Sequence, residues 1–213
     1  MTDDSTSAGA AAQPQTQAPR RRRSGRRHEI LEIAGRQIAE KGYAEATVRD
    51  IGEAAGILSG SLYRHFDSKD TILEELLRTY LDDLLVAYEA VTPASEGSAS
   101  AALRKLIQIG VRAVHENRVE VTILHDNYKF LLRNPRFTFI QAMERQIMTY
   151  WLRVLEEGRA TGEFSRELNP RVASLAIMGG IETMVRWFDP RGQFSHEEVA
   201  EQYATLHLNG LTA

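Results

Sequence analysis

Apolar residues recur every three to four positions along most of this chain, and no stretch alternates with the period of two that marks a strand. From Arg26 to Lys41, Ile30, Ile33, Ala34, Ile38 and Ala39 share one helical face, and Gly42 is a natural stop. Thr47 can cap a helix, with Asp50 favouring the first turn, so a short helix begins near Val48, carries Ile51, Ala54 and Ala55 on one face, and ends at Gly56. Ser59 is placed to cap a second short helix whose Leu62 and Phe66 point inward. Asp67-Ser68 opens a long helix carrying Ile72, Leu73, Leu76, Leu77 and Leu81, which Val91-Thr92-Pro93 ends. The small polar segment Ala94 to Ser100 reads as a loop. Beyond it, helical stripes run through Leu103 to Val114, Val121 to Leu132, Phe137 to Leu155, Val172 to Trp187 and Val199 to Leu208. Asn134-Pro135, the Gly158/Gly162 region, Asn169-Pro170 and Asp189-Pro190 punctuate them. The pattern predicts an all-α protein.

Two short helices about a glycine-containing turn, the second bearing Ser61, Tyr63, Arg64 and His65, fit a helix-turn-helix that lays its second helix in a DNA major groove. An αα-hairpin inside a helical bundle has the same periodicity. The residues separate the two: the run TVRDIGEAAGILSGSLYRHFDSK, Thr47 to Lys69, resembles the DNA-binding domain of the TetR family of bacterial regulators at nearly every position. The resemblance covers about residues 26 to 75 and fades beyond Tyr80. It implies a three-helix DNA-binding domain over 25–70 and a larger helical ligand-binding and dimerisation domain over 71–213, while the small polar composition of residues 1–24, with few large apolar side chains, reads as a disordered basic tail.

Carried onto this chain, the resemblance gives Arg49 a phosphate or base edge. It sets Ser59, Gly60 and Ser61 at the start of the recognition helix, gives Arg64 a base contact, and makes Tyr63, His65 and Lys69 phosphate clamps. It also implies a homodimer in which Pro170 to Trp187 and Ser195 to Leu208 pair with their copies. In the first of these, Gly179-Gly180 costs about 2 kcal/mol relative to alanine, so a partner backbone, a ligand or a kink must account for it. The inward faces of the middle helices hold Tyr128, Phe137, Met143, Met148 and Trp151, with His125, Asp126, Asn127, Lys129 and Gln141 nearby. Such a set can line an apolar pocket with polar anchors. The segment ILHDNYKFLLRNPRFTFI is similar to TetR members that control steroid and fatty-acid catabolism and respond to acyl-CoA thioesters, which implies an effector of that kind.

Charge sharpens this division. Residues 20–69 hold eleven Lys/Arg against seven Asp/Glu, while residues 70–213 hold fifteen against twenty, so attraction for phosphate sits at one end only. Arg20 to Arg23, Arg26 and Arg27 form a basic run that reads either as a solvated tail or as an arm on DNA. The chain has no cysteine, which suits a reducing cytoplasm. Its longest clearly apolar uncharged run, Val172 to Ile181, falls far short of the ~20 residues that cross a bilayer. Six histidines lack metal-ligand spacing, no phosphate loop or nucleophile motif occurs, and adjacent acids such as Glu156-Glu157 point apart on a helix. No enzyme, metal or cofactor is expected. The expected partners are an operator in double-stranded DNA, a small effector and a second copy of the chain; a helical adaptor for another protein is the alternative.

Overall fold

The computed structural model describes residues 18–211, with side chains from residue 25 onward. Its helices are α1 (Ala18–Lys41), α2 (Val48–Ala54), α3 (Ser59–Leu62), α4 (Lys69–Glu89), α5 (Pro93–Glu96), α6 (Ala99–Glu116), α7 (Arg118–Leu131), α8 (Phe139–Thr161), α9 (Pro170–Trp187) and α10 (His196–Leu211). A single 3-10 turn, Pro135–Phe137, links α7 to α8, and the described residues contain no strand. The tail expected over residues 1–24 lies largely outside the described residues. The backbone of α1 nevertheless begins at Ala18, ahead of the expected start at Arg26.

Local chemistry sets the N-terminal unit. Thr47 caps α2 in a reciprocal box: its hydroxyl accepts from the Asp50 amide at 3.1 Å and the Asp50 carboxylate accepts from the Thr47 amide at 2.8 Å. Gly56 then turns the chain at φ +63, a conformation that favours glycine. Ile30, Leu31, Ala34, Ile51, Ala55, Leu62, Phe66 and Ile72 close into one small core, which adds Leu31 to the expected stripe and loses Ile38 and Ala39 to the larger core. Ser59 does not cap the second motif helix: Leu58 holds that position and offers no side-chain bond. That helix is also a single turn, after which the chain winds on through turns in which the His65 and Phe66 amides donate to the Leu62 carbonyl at 2.8 and 3.0 Å.

Arg26 and Arg27 do not belong to a free arm. Arg26 donates to the Ala55 carbonyl at 2.7 Å. Arg27 lies 4.0 Å over the Phe66 ring and donates to the His65 carbonyl and to Glu75, stapling α1 to the end of the motif and to α4. The side chains of Arg20 to Arg23 lie outside the described residues.

The helix α4 crosses the expected boundary at residue 70, and both α1 and α4 contribute to two cores. Ile72 belongs to the small core, whereas Leu73, Leu77, Leu81, Leu85 and Tyr88 of the same helix enter a large one, which Ile38 and Tyr43 also reach. In that large core α6 is central, burying Ala102, Leu103, Leu106, Ile107 and Val111 among α4, α8, α9 and α10. Its first amides donate to Glu163 at 3.0 and 2.9 Å, a carboxylate placed where the helix dipole is positive. The expected loop at Ala94 to Ser100 instead holds α5 and the start of α6. Thr92 and Ser95 form a reciprocal cap, Pro93 takes the first helical position, and Gly97 ends the turn at φ +88.

The glycine pair of α9 divides its roles. A Cβ on Gly180 would overlap the Tyr203 hydroxyl of α10, which donates to the Ile177 carbonyl at 2.9 Å. Gly180 therefore makes room for a contact inside the same chain. Nothing lies within 4 Å of a Cβ built on Gly179.

Candidate DNA interface and ligand cavity

At the motif end, Arg49 projects from α2 with 83% of its side chain exposed and pairs only with Glu53 at 2.8 Å. Gly60, Tyr63 and Arg64 are exposed on α3 and the turn that follows, and Ser59, Ser61 and His65 are half-buried. Arg64 donates to the Ser61 hydroxyl at 2.9 Å, so its guanidinium is held beside the start of that helix. Lys69 differs from the expected free clamp. Its ammonium donates to the Tyr43 and Ala46 carbonyls at 2.5 and 2.7 Å and lies 4.4 Å over the Tyr43 ring. Burial lowers its pKa. Two of its three donors thus bind the loop between α1 and α2, and one is left for a phosphate.

Tyr43 ties that loop to the body of the molecule. Its hydroxyl donates to Asp70, its amide donates to the Asn127 side-chain oxygen Oδ1 at 3.2 Å, and its ring meets Phe130 and Phe137 at 5.4 and 6.1 Å. Asp70 accepts again from Asn134 at 3.0 Å. Just beyond, Arg136 donates to Glu74 at 2.7 Å. The end of α7 and the turn after it are therefore bonded to the first turns of α4.

A cavity of about 1180 Å³ lies between α4, α6, α7, α8 and α9. Of the residues read from sequence as pocket-lining, Tyr128, Met148 and Trp151 line it. Phe137 and Met143 do not. Phe137 sits in the 3-10 turn, fully buried against Tyr43, and Met143 packs on the large core one turn before Ile147 and two before Trp151, which reach the hollow. Sequence reasoning missed the walls from other helices: Tyr80, Leu84 and Tyr88 of α4, and Leu175, Met178 and Glu182 of α9. A stripe of tyrosines and leucine at four-residue spacing along the connecting helix was the available signal for the first group.

Carboxylates and cations both stand in the cavity wall. Tyr128 donates to Glu144 at 2.6 Å, and burial raises the pKa of both. Solvent reaches Glu182 through the hollow, yet the surrounding protein disfavours its charge and the Glu144 carboxylate adds repulsion, so its pKa is raised as well. Lys129, Arg133, Arg145 and Arg171 also line the cavity, all exposed and, among the described residues, without a carboxylate within 4 Å. The hollow can take an apolar body inside and an anionic group at these cations. No cluster of potential metal ligands occurs among the described residues, and no helix there is long and apolar enough to cross a membrane.

Residues 30–76 match the sequence family described as "Bacterial regulatory proteins, tetR family", and residues 96–211 match "Tetracyclin repressor-like, C-terminal domain". The chain is 39% identical over 191 residues to the HTH-type transcriptional repressor KstR2 of Rhodococcus jostii, covering 90% of this chain and 93% of that one. It is 35% identical over 189 residues to KstR2 of Mycobacterium tuberculosis, covering 89% and 94%. The solved structure of the ketosteroid transcriptional regulator KstR2 of Mycobacterium tuberculosis superposes with a TM-score of 0.84 at 36% identity, over 88% of this chain and 95% of that one.

Proposed function

This chain belongs to the TetR family of bacterial regulators, and from that premise we propose that it is a homodimeric repressor that leaves its operator when a small effector fills the cavity. The observation that carries this reading is the shared use of α4 and α7. Tyr80, Leu84 and Tyr88 of α4 wall the cavity, and the first turn of the same helix holds Lys69 and Asp70 against the motif. Phe130 lines the cavity and touches Tyr43. An effector that shifts α4 or the end of α7 moves the recognition helix with them.

In the DNA-bound state, α3 of each subunit enters successive major grooves of a near-palindromic operator, ~34 Å apart. Arg49, Ser59, Gly60, Ser61 and Arg64 face base edges and phosphates. Tyr63, His65 and the remaining donor of Lys69 clamp the backbone. The dimer forms through α9 and α10, where Val172, Leu175, Trp187 and Leu206 present large apolar side chains to solvent. Similarity to repressors over nine-tenths of the chain supports a regulator acting in the cytoplasm, rather than an enzyme or an adaptor.

The cavity, with Tyr128, Met148 and Trp151 in its wall, is large for a drug-sized ligand, whose pockets run to about 1,000 Å³. Its size and its four cations support an acyl-CoA thioester, with the acyl group inside and the phosphates at Lys129, Arg133, Arg145 and Arg171. The ketosteroid regulator among the relatives supports an acyl group from steroid or fatty-acid breakdown. Coupling between sites is reciprocal, so a compound that favours the released state must bind it better than the DNA-bound one. Thermal-shift screening of acyl-CoA thioesters against the purified protein, followed by operator titration, tests this. A thioester that raises the unfolding temperature is expected to weaken operator binding; stabilisation with unchanged operator affinity contradicts the mechanism.

A further inference from the structure

At 81%, Leu58 is the most exposed large apolar side chain among the described residues. It also stands at the N-cap of α3, with φ −65 and ψ 142, and supplies no side-chain bond there. Ser, Thr, Asp and Asn are favoured at that position, and leucine is among the poorest choices. Two local preferences are thus broken at one residue, which points to a use outside the free protein.

The turn that carries Leu58 is braced. The Ile57 amide donates to the Gly52 carbonyl at 2.9 Å, and a Cβ on Gly52 would lie 3.0 Å from the Ile57 carbonyl and 3.5 Å from the Ser59 amide. The turn therefore sits directly on α2. Ile57 packs on the small core that also holds Leu62 and Phe66. Leu58 instead stands in solvent beside Ser59, Gly60 and Ser61. A single exposed leucine, with inward-packed Ile57 before it and Ser59 after it, is too small an apolar patch for a protein partner.

If α3 enters the major groove, Leu58 arrives with it. The one apolar feature of a base edge there is the C5 methyl of thymine, whereas serine hydroxyls contact either kind of base and discriminate weakly. We propose that Leu58 is a specificity-determining residue that packs against a thymine methyl in each half-site. The proposal rests on the DNA-binding reading and adds to it a discrimination of thymine from cytosine that Ser59 and Ser61 lack.

The test uses the tightest duplex selected from a random library. Each thymine is replaced by uracil, symmetrically in both half-sites, and the affinities of the full-length protein and of Leu58→Ala are measured at one salt concentration. Uracil removes only the methyl, so the series on the unaltered protein stands even if the variant folds poorly. One position is expected to weaken the unaltered protein about fourfold per half-site, as burial of one apolar carbon group at ~0.8 kcal/mol implies. The same uracil should leave Leu58→Ala unchanged. A selected site without thymine, tolerance of uracil throughout, or an equal uracil penalty in Leu58→Ala overturns the proposal. Failure to enrich any sequence overturns the DNA-binding reading itself, and is distinguishable from the other three.

Discussion

Lys69 and Arg49 show how one type of charge serves two purposes in the same motif. Arg49 is exposed and bonded only to Glu53, so Arg49→Ala should leave the unfolding temperature nearly unchanged and reduce the salt slope of DNA binding by about one if it meets a phosphate. Lys69 is fixed on two carbonyls. Its replacement by alanine should lower stability by about 1.5–3 kcal/mol, the range for hydrogen bonds to a charged group, besides weakening DNA binding. Chemical denaturation with DNA titration at several salt concentrations separates the two. Equal stability losses would remove the distinction. The role of Lys69 in the loop was not legible in the sequence, because Tyr43 and Ala46 lie more than twenty positions away.

The α9 glycines make an equally local contrast. Gly180→Ala is expected to destabilise by roughly 1–3 kcal/mol, since the added carbon overlaps Tyr203 and strains its bond to Ile177. Gly179→Ala should instead stabilise by up to about 1 kcal/mol through helix propensity. Denaturant midpoints decide both, and a fall for Gly179→Ala would mean that a partner backbone packs there. Two glycines in a helix flagged the site in the sequence. Their division was hidden because it depends on a tyrosine from another helix.

At the scale of elements, the sequence was most legible where chemistry is local. Thr47 with Asp50 and Asn169 with Pro170 mark helix starts within a few residues, and the structure opens α2 and α9 there. Ser59 misled because a cap needs the right backbone turn as well as a hydroxyl, and Leu58 takes that turn. Phe137 and Met143 misled because amphipathic spacing shows which face is buried, not what lies against it. The link from the end of α7 to the first turn of α4 was likewise invisible, since Asn134 and Asp70 meet only in the folded chain. Breaking it with Asn134→Ala should leave effector binding intact while shrinking the effector-induced loss of operator affinity. Unchanged coupling would remove the Asn134–Asp70 bond from the route of transmission.

Acidity inside the cavity acts on the molecule as a whole. Glu144 and Glu182 have pKa values raised above the ordinary 4.5. Their stabilising contribution is therefore complete below that value and is lost as pH rises through their folded values. Asp50, Glu74 and Glu163 are shifted downward by their hydrogen bonds and oppose this, losing their contribution as pH falls. Glu182→Gln should accordingly raise the unfolding temperature of the free protein near neutral pH, with the difference vanishing below about pH 4.5. A pH-independent difference would show that Glu182 acts through packing rather than charge.

Helices α1 and α4 each bury side chains in both cores and so connect the helix-turn-helix to the body that holds the cavity. That arrangement has a purpose only if the motif reads a sequence. The most direct measurement is selection of bound duplexes from a random library by the purified protein at stated salt. A near-palindromic site with half-sites about one helical turn apart is the predicted outcome. Binding without enrichment of any sequence would contradict the account.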